Sequence, residues 1–392
     1  MHGRRRTGAL AANSLIMPRQ HHNPVNLLRA LAILAVWAHH AQHYTGLHIP
    51  YLGRLGGLLG VTLFFLISGY LIVQSAAQRS CSAFWINRAF RVYPAYWVAV
   101  LAVSIWPSGI HLTAQGSDWP YFLVNLLSWS HFFPYAMGRF DVLAVSWTLA
   151  VEWTWYLLVP GLLWAARRLS LRGEGSTRFW LAALLLGSFV SFAWTQLSYA
   201  GLFDAWYWPG LQKLGARSMT DGLRTAFIAS AAPAQWMFFL LGVLLWSSGR
   251  ALARVPALVL SILALVLLAN PSAWSRWLGA WTYPVTAAGL AAFFALALRM
   301  PSSWVRGLVL RPLHWLGDLS YAVYLVHVPA IFIVKDRFGL QGAAAGMATV
   351  MLTLALAAAI HHLVENPARR LGARLLREQE RRPAVTETTV YP

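Results

Sequence analysis

Cysteine and acidic side chains are nearly absent from this sequence. Among 392 residues there is one cysteine, Cys81, and there are twelve Asp or Glu. A single thiol excludes an intramolecular disulfide and any paired-cysteine metal motif. Cys81, alone near a membrane boundary, reads as a small packing residue. His361, His362 and Glu365 resemble a metal site only weakly in their spacing, and no metal is expected. No internal repeat is visible. Charged residues make up 11% of the chain against 58% hydrophobic ones, with a mean hydropathy of +0.53. That much apolar surface cannot be hidden in a soluble core, so the chain belongs in lipid.

The basic balance does not make a nucleic-acid binder. The formal charge is +19, but nucleic-acid surfaces gather their cations on one polar face, whereas these arginines stand between apolar runs. Lipid headgroups and the cytoplasmic bias of basic residues explain them better. The start, MHGRRRTGALAANSLIMPRQHH, holds only a broken apolar stretch where a cleaved signal needs a longer one. Residues 1–23 are therefore expected to be a basic cytoplasmic tail. Ten segments reach the spanning length of about 20 residues: residues 27–45, 57–77, 91–107, 143–166, 179–199, 233–249, 255–270, 278–298, 316–334 and 342–363. An eleventh, 120–136 (PYFLVNLLSWSHFFPYA), is short and bounded by prolines.

Charge decides whether the eleventh segment crosses. If it enters and leaves on one side, 23 of the 31 Lys and Arg fall on the cytoplasmic side. If it crosses, the split is 15 inside and 16 outside, which is no bias. The sequence thus predicts an all-α, polytopic membrane protein with ten transmembrane helices, a re-entrant or interfacial segment and both termini cytoplasmic. The transmembrane domain is expected over residues 24–370 and a cytoplasmic tail over 371–392.

With this topology the polar residues at depth can be placed. Glu152 lies inside the long apolar run SWTLAVEWTWYLLVPGLLW, and a carboxylate at membrane depth marks function by default. In LLRALAILAVWAHHAQHY, Arg29 and His40 are eleven residues apart, three turns plus about 20°, so they share a face about 16 Å apart along the axis. His43 follows one turn later on that face. Arg88 and Arg91 in FWINRAFRVYPAYW are neighbours on a helix. A pair of guanidinium forks suits a phosphate or pyrophosphate, although boundary arginines also snorkel to lipid phosphate.

Six motifs in order carry a resemblance. Arg29 with His40, then GVTLFFLISGYLI, RAFRVYP, SWTLAVEWTWYLLVP, LGDLSYAVYLVHVP and LVENPAR resemble the motif series of the integral-membrane acyltransferase-3 family of bacterial O-acyltransferases. The likeness extends from about residue 24 to 370, nearly the whole chain. It implies a ten-helix bundle in the bacterial cytoplasmic membrane that passes an acyl group, usually acetyl, from cytoplasmic acyl-coenzyme A to a hydroxyl, most often on a sugar. No permanently bound cofactor is implied. The family's first-helix arginine and histidine correspond to Arg29 and His40, its RxxR pair to Arg88 and Arg91, and its glutamate to Glu152. Two positions depart from the family. Thr62 stands where an acid is frequent, leaving one charge fewer near the site, and Trp155 where Phe is frequent. No appended soluble hydrolase-like domain is expected, so the bundle would hold the whole activity.

Residues and resemblance meet in one expectation. Arg88 and Arg91 hold the phosphates of coenzyme A at the cytoplasmic mouth, Arg29 binds a phosphate or orients the arm, and the thioester reaches His40. His40 acts as general base, with an acyl-histidine intermediate as the alternative, and Glu152 orients its imidazole. Ser146 either donates at the site or caps its helix. Tyr321, Tyr324 and His327 form a polar stripe at one-turn spacing. Ser68 and Gly69 read as packing residues, Asp318 as a dipole partner at the start of its helix, and Glu365 as the partner of a nearby arginine. The aromatic segment 200–232 serves acceptor binding or membrane anchoring. A transporter or flippase is the competing class, since it too places charge at depth.

Overall fold

The computed structural model describes residues 23–105, 118–169, 174–271, 273 and 282–381. The expected N-terminal tail, apart from Asn23, and residues 382–392 of the expected C-terminal tail lie outside these. Among the described residues there is helix and no strand. The first three helices are α1 Pro24–Thr45, α2 Leu52–Ala77 and α3 Cys81–Ile105. A broken stretch of α4 Trp119–Leu126 and α5 Pro134–Phe140 follows. Then come α6 Trp147–Arg168, α7 Glu174–Tyr199, α8 Asp204–Lys213, α9 Ala232–Ser247, α10 Ala257–Ala269 and α11 Thr282–Ala297. The chain closes with α12 Arg311–Phe338, α13 Gly342–Ile360 and α14 Asn366–Arg381.

Local chemistry sets several of these boundaries. Asn23 precedes Pro24 and accepts the Asn26 N–H at 2.9 Å, capping α1 where proline costs no hydrogen bond. Gly46 ends the helix in the left-handed conformation (φ 72°), its N–H returning to Gln42 O. Between α1 and α2 the backbones nearly touch. A Cβ at Gly56 or Gly60 would meet the Ala35 or Ala32 carbonyl, the small-residue contact that drives helix association where lipid removes the hydrophobic incentive.

Among the described residues five helices are long and apolar enough to cross a membrane: Leu52–Ala77, Trp147–Arg168, Ser176–Tyr199, Leu308–Phe338 and Gly342–Glu378. Asp221–Ala229 with Ala232–Ser247, bent by 51°, makes a sixth if the pair is one span. Helices α1 and α3 miss that mark in part because Arg29, three histidines and the Arg88–Arg91 pair interrupt their apolar runs. Two others, α10 and Tyr283–Ala297, are apolar but short. Helix α12 is central, 78% of its apolar window being buried, and α7 is peripheral at 17%. On α7, Leu185, Leu186 and Phe189 are each about two-thirds exposed, as a lipid-facing helix requires. The chain is a multi-pass membrane protein.

The proline-bounded segment folds back on itself. Helix α4, at eight residues, rises about 12 Å, under half of a bilayer core. Its last carbonyls, on Asn125, Leu126 and Leu127, accept from Tyr96 Oη (2.8 Å), Trp97 Nε1 (2.9 Å) and Tyr93 Oη (3.1 Å), side chains half-way along α3. These donors meet the unpaired C-terminal groups that lipid would leave exposed. The chain turns at Ser128 (φ 61°) and comes back, and Tyr135 Oη donates to Asp118 Oδ1 at 3.1 Å. The two ends of the segment therefore meet while its tip reaches the middle of α3.

Candidate active site

A cavity of about 910 Å³ opens between α1, α2, α3, α6, α12 and α14. Arginine dominates its wall: Arg29 from α1, Arg79 from the end of α2, and Arg88 and Arg91 from α3. The last helix adds Arg369, Arg370 and Arg377. Glu152 and Asp318 are the two carboxylates among the lining residues. Spacing explains how α14 takes part. Residues 366, 369, 370, 373 and 377 recur at helical intervals, and all five face the cavity.

Arg88 is the least exposed of these cations, at 8%. Its guanidinium stands 5.7 Å from the ring centroids of both Phe84 and Tyr156, and its Nε has no hydrogen-bond partner. Two aromatic faces offset part of the cost of burying this charge, and the open donor is left for an anion. Arg29 lies close enough to Arg91, Arg369, Glu365 and Asp318 for each to act on its charge. Like charges so crowded repel one another, and an anionic ligand relieves that repulsion.

Glu152 also faces the cavity, and there it accepts a hydrogen bond from Ser68 Oγ at 2.8 Å. Of the expected packing pair, Gly69 does pack, on the Phe239 carbonyl of α9, but Ser68 is turned to Glu152. The expected link from Glu152 to His40 is not made. The partner of His40 is another histidine.

Three successive turns of α12 reach three different helices. Tyr321 Oη donates to Val92 O of α3 at 2.8 Å, and Tyr324 Oη pairs with Thr148 Oγ1 of α6 at 2.8 Å. His327 Nε2 lies 3.2 Å from His40 Nδ1 of α1. The tautomers follow from the carbonyls, which only accept. His40 Nδ1 is 3.0 Å from Val36 O and His327 Nδ1 is 2.8 Å from Tyr324 O, so each Nδ1 carries its hydrogen. The single His40 Nδ1 hydrogen is then shared between Val36 O and the lone pair of His327 Nε2, and His40 Nε2 keeps a free lone pair, the form a general base needs.

The cavity does not open onto this pair. Its lining ends at Thr148, Tyr324 and Phe64, whose ring meets Tyr324 edge-on at 5.9 Å. His327 comes next, 5.7 Å from the Tyr324 ring and wholly buried. His40 is half-buried beyond it, and His43, stacked on His39 at 6.5 Å, is exposed. The arginines and histidines thus lie on opposite sides of a thin layer of side chains. Arg29, Arg88, Arg91, Glu152, Tyr321 and Tyr324 share the cavity, whereas His40, His43, His327 and Ser146 do not line it.

Other expectations need correction. Ser146 occupies the N-cap position of α6, but its hydroxyl donates to Asp141 Oδ1 instead of capping the helix or entering the cavity. Asp318 is not at a helix start, because α12 begins at Arg311. It accepts from Asn26 Nδ2 at 2.5 Å and ties α12 to α1. Cys81 is exposed rather than packed. Thr62 and Trp155 are buried, Trp155 stacking on Phe239 at 5.1 Å. Glu365 does pair with an arginine, Arg369 (3.4 Å), and also with His361 (2.9 Å). Among the described residues no group of three or more His, Cys, Asp or Glu is arranged to hold a metal ion. Residues 371–381 of the expected tail continue α14, which packs against α3. In the 200–232 segment Tyr207, Leu211 and Ile228 form a small core, while Arg224 clamps Asp204 at 2.6 Å and Asp221 at 2.9 Å.

Residues 23–362 match the family model described as an acyltransferase domain, acyltransferase-3. The chain belongs to this family. It is 29% identical over 386 residues to nodulation protein 10 of Rhizobium leguminosarum bv. viciae, covering 91% of this chain and 95% of the relative. Acyltransferase MdmB of Streptomyces mycarofaciens is 26% identical, with 92% of this chain and 93% of the relative covered. Peptidoglycan O-acetyltransferase OatA of Listeria monocytogenes is 24% identical over 328 residues, 78% of this chain. The match spans 48% of that relative's length. No solved structure matches the chain.

Proposed function

We propose that this protein is an O-acyltransferase that takes an acyl group, acetyl in the first instance, from acyl-coenzyme A and passes it to a hydroxyl of a carbohydrate or glycosylated acceptor. One observation carries the reading: a cavity walled by arginines runs inward and stops one helical turn short of a histidine pair whose tautomers leave His40 Nε2 free. Arg29 and His40 stand about 16 Å apart along α1, a span suited to an extended pantetheine arm. The names of relatives that modify peptidoglycan support a sugar acceptor.

In this reading Arg88 and Arg91 hold the pyrophosphate, with Arg29 beside them, and the thioester passes Tyr324 to reach His40. His40 Nε2 removes the proton of the acceptor hydroxyl as its oxygen attacks the thioester carbonyl. The C–S bond then breaks, the imidazolium returns the proton to the departing thiolate, and an ester and free coenzyme A remain. General-base help of this kind is worth roughly 10²- to 10⁴-fold in rate. Ten crossings, both termini cytoplasmic and a domain over residues 24–370 belong to the same proposal, with the arginine mouth on the cytoplasmic side of the bacterial inner membrane.

The test is acyl transfer in proteoliposomes supplied with labelled acetyl-coenzyme A outside the arginine mouth and a saccharide acceptor on the opposite face. Label on the acceptor that depends on His40 is expected; transfer unaffected by His40→Ala removes the proposed base, and no turnover with any acyl-coenzyme A removes the donor.

A further inference from the structure

The acyl-coenzyme A reading leaves three arginines of the last helix without a task. Helix α14 leaves α13 through a π-helical turn, His361–Glu365, a feature frequent at functional sites. Glu365, 1% exposed, is fixed there between His361 and Arg369. Gly372 presses on Phe90, where a Cβ would come within 2.9 Å of the phenylalanine Cβ. These contacts hold the 366–369–370–373–377 face of α14 against the cavity.

The cations are graded in depth. Arg88 and Arg29 lie within, whereas Arg370 and Arg377 are exposed at the rim, and Arg79, bonded to Ser75 Oγ at 2.5 Å, joins them from the end of α2. Glu365 already answers Arg369, but Arg370 makes no hydrogen bond or ion pair among the described residues. Coenzyme A is graded in the same order. Outward from its thioester come pantetheine, then the pyrophosphate, then a ribose bearing a 3′-phosphate beside adenine. A pyrophosphate at Arg88 and Arg91 sends the 3′-phosphate toward the rim.

We propose that Arg370 and Arg377 of α14, with Arg79 opposite, form the site for the 3′-phosphate of the donor nucleotide, so that the C-terminal helix selects acyl carriers bearing that third phosphate. The proposal rests on the acyl-coenzyme A reading above.

Full-length protein in nanodiscs, titrated with acetyl-coenzyme A and with its 3′-dephospho form, tests it. Wild type should bind the phosphorylated donor at least about tenfold more tightly, as charge-assisted bonds to one phosphate require. The Arg370→Gln/Arg377→Gln double variant should bind both donors equally, at the wild-type level for the dephospho form, which also shows that it is folded. Donor binding without a 3′-phosphate preference, or a preference that survives in the double variant, overturns the proposal while leaving the donor intact. Loss of vesicle binding specific to phosphatidylglycerol, with the preference retained, assigns these arginines to lipid phosphate and equally overturns it. Absence of binding to either donor defeats both readings together.

Discussion

His327 Nε2 and His40 Nδ1 face each other at 3.2 Å across the interface of α12 and α1, each ring held by a backbone carbonyl on its own helix. A lone pair on His327 pointing at the His40 N–H locks the orientation in which His40 Nε2 is bare. It also stabilises positive charge on His40 when that nitrogen takes a proton. His327→Ala is therefore expected to lower turnover by about 10-fold or more and leave the affinity for acetyl-coenzyme A unchanged, while His40→Ala removes roughly 10²- to 10⁴-fold. Steady-state kinetics with separate donor-binding measurements check both. An equal loss of donor affinity in His327→Ala would mark the residue as structural only.

Arg88 is buried, sandwiched between rings and unsatisfied at Nε. Replacing a buried ion pair by apolar side chains of similar volume is often neutral or stabilising by about 1–4 kcal/mol, and a buried guanidinium facing rings rather than a carboxylate carries the same desolvation cost with less to offset it. Arg88→Met should thus raise the melting temperature of the ligand-free protein in detergent and weaken acetyl-coenzyme A binding by tenfold or more, about 1.4 kcal/mol. A variant less stable and equally able to bind would show that the guanidinium serves packing alone.

Glu152 places a negative charge in a cavity otherwise suited to anions. Its neutralisation in Glu152→Gln should leave donor affinity equal or tighter and reduce turnover. Ser68→Ala, which removes the donor to Glu152 Oε1, should shift both quantities in the same directions by less. Calorimetric affinities and initial rates on the two variants decide the matter; weaker donor binding in Glu152→Gln contradicts this placement.

A methyl group at Gly317 would run into the backbone carbonyl of Asn26, whereas one at Gly161 meets nothing within 4 Å. Gly317→Ala should cost about 1–3 kcal/mol through overpacking between α12 and α1, and Gly161→Ala should be neutral or stabilising. Thermal unfolding in a single detergent compares the two directly.

On a Cys81→Ser background, an impermeant thiol reagent should label Arg168→Cys from the cytoplasmic side and Trp206→Cys from the other. Both positions are exposed. Labelling of both from the same side would contradict the ten-crossing arrangement.

Helical periodicity and apolar run length made the all-helical fold legible: a helix covers most of each expected apolar segment, although α3 begins ten residues before the expected 91–107. The break in segment 120–136 was legible too, since its bounding prolines and short length mark a stretch that folds back. Lateral packing was not. Arg29 and His40 do share a stripe, but sequence alone cannot tell which helix that stripe meets, and the meeting with α12 gives His40 a histidine for a partner where Glu152 was expected. Ser68 looked like packing because serine and glycine serve equally well at a helix contact, and its hydroxyl declares itself only opposite a carboxylate. The arginines of α14 carried a readable signal, the 369–370–377 spacing, hidden by their place among other charges near the end of the chain.

The arginine-lined cavity ends at Tyr324 and Thr148, short of His327. If the proposed donor enters from the arginine side, the layer of side chains around Tyr324 and Phe64 acts as a plug across the waist of the bundle. Under that proposal only a slender, uncharged tether would have to slip past the plug, and the bilayer around it would stay an insulator.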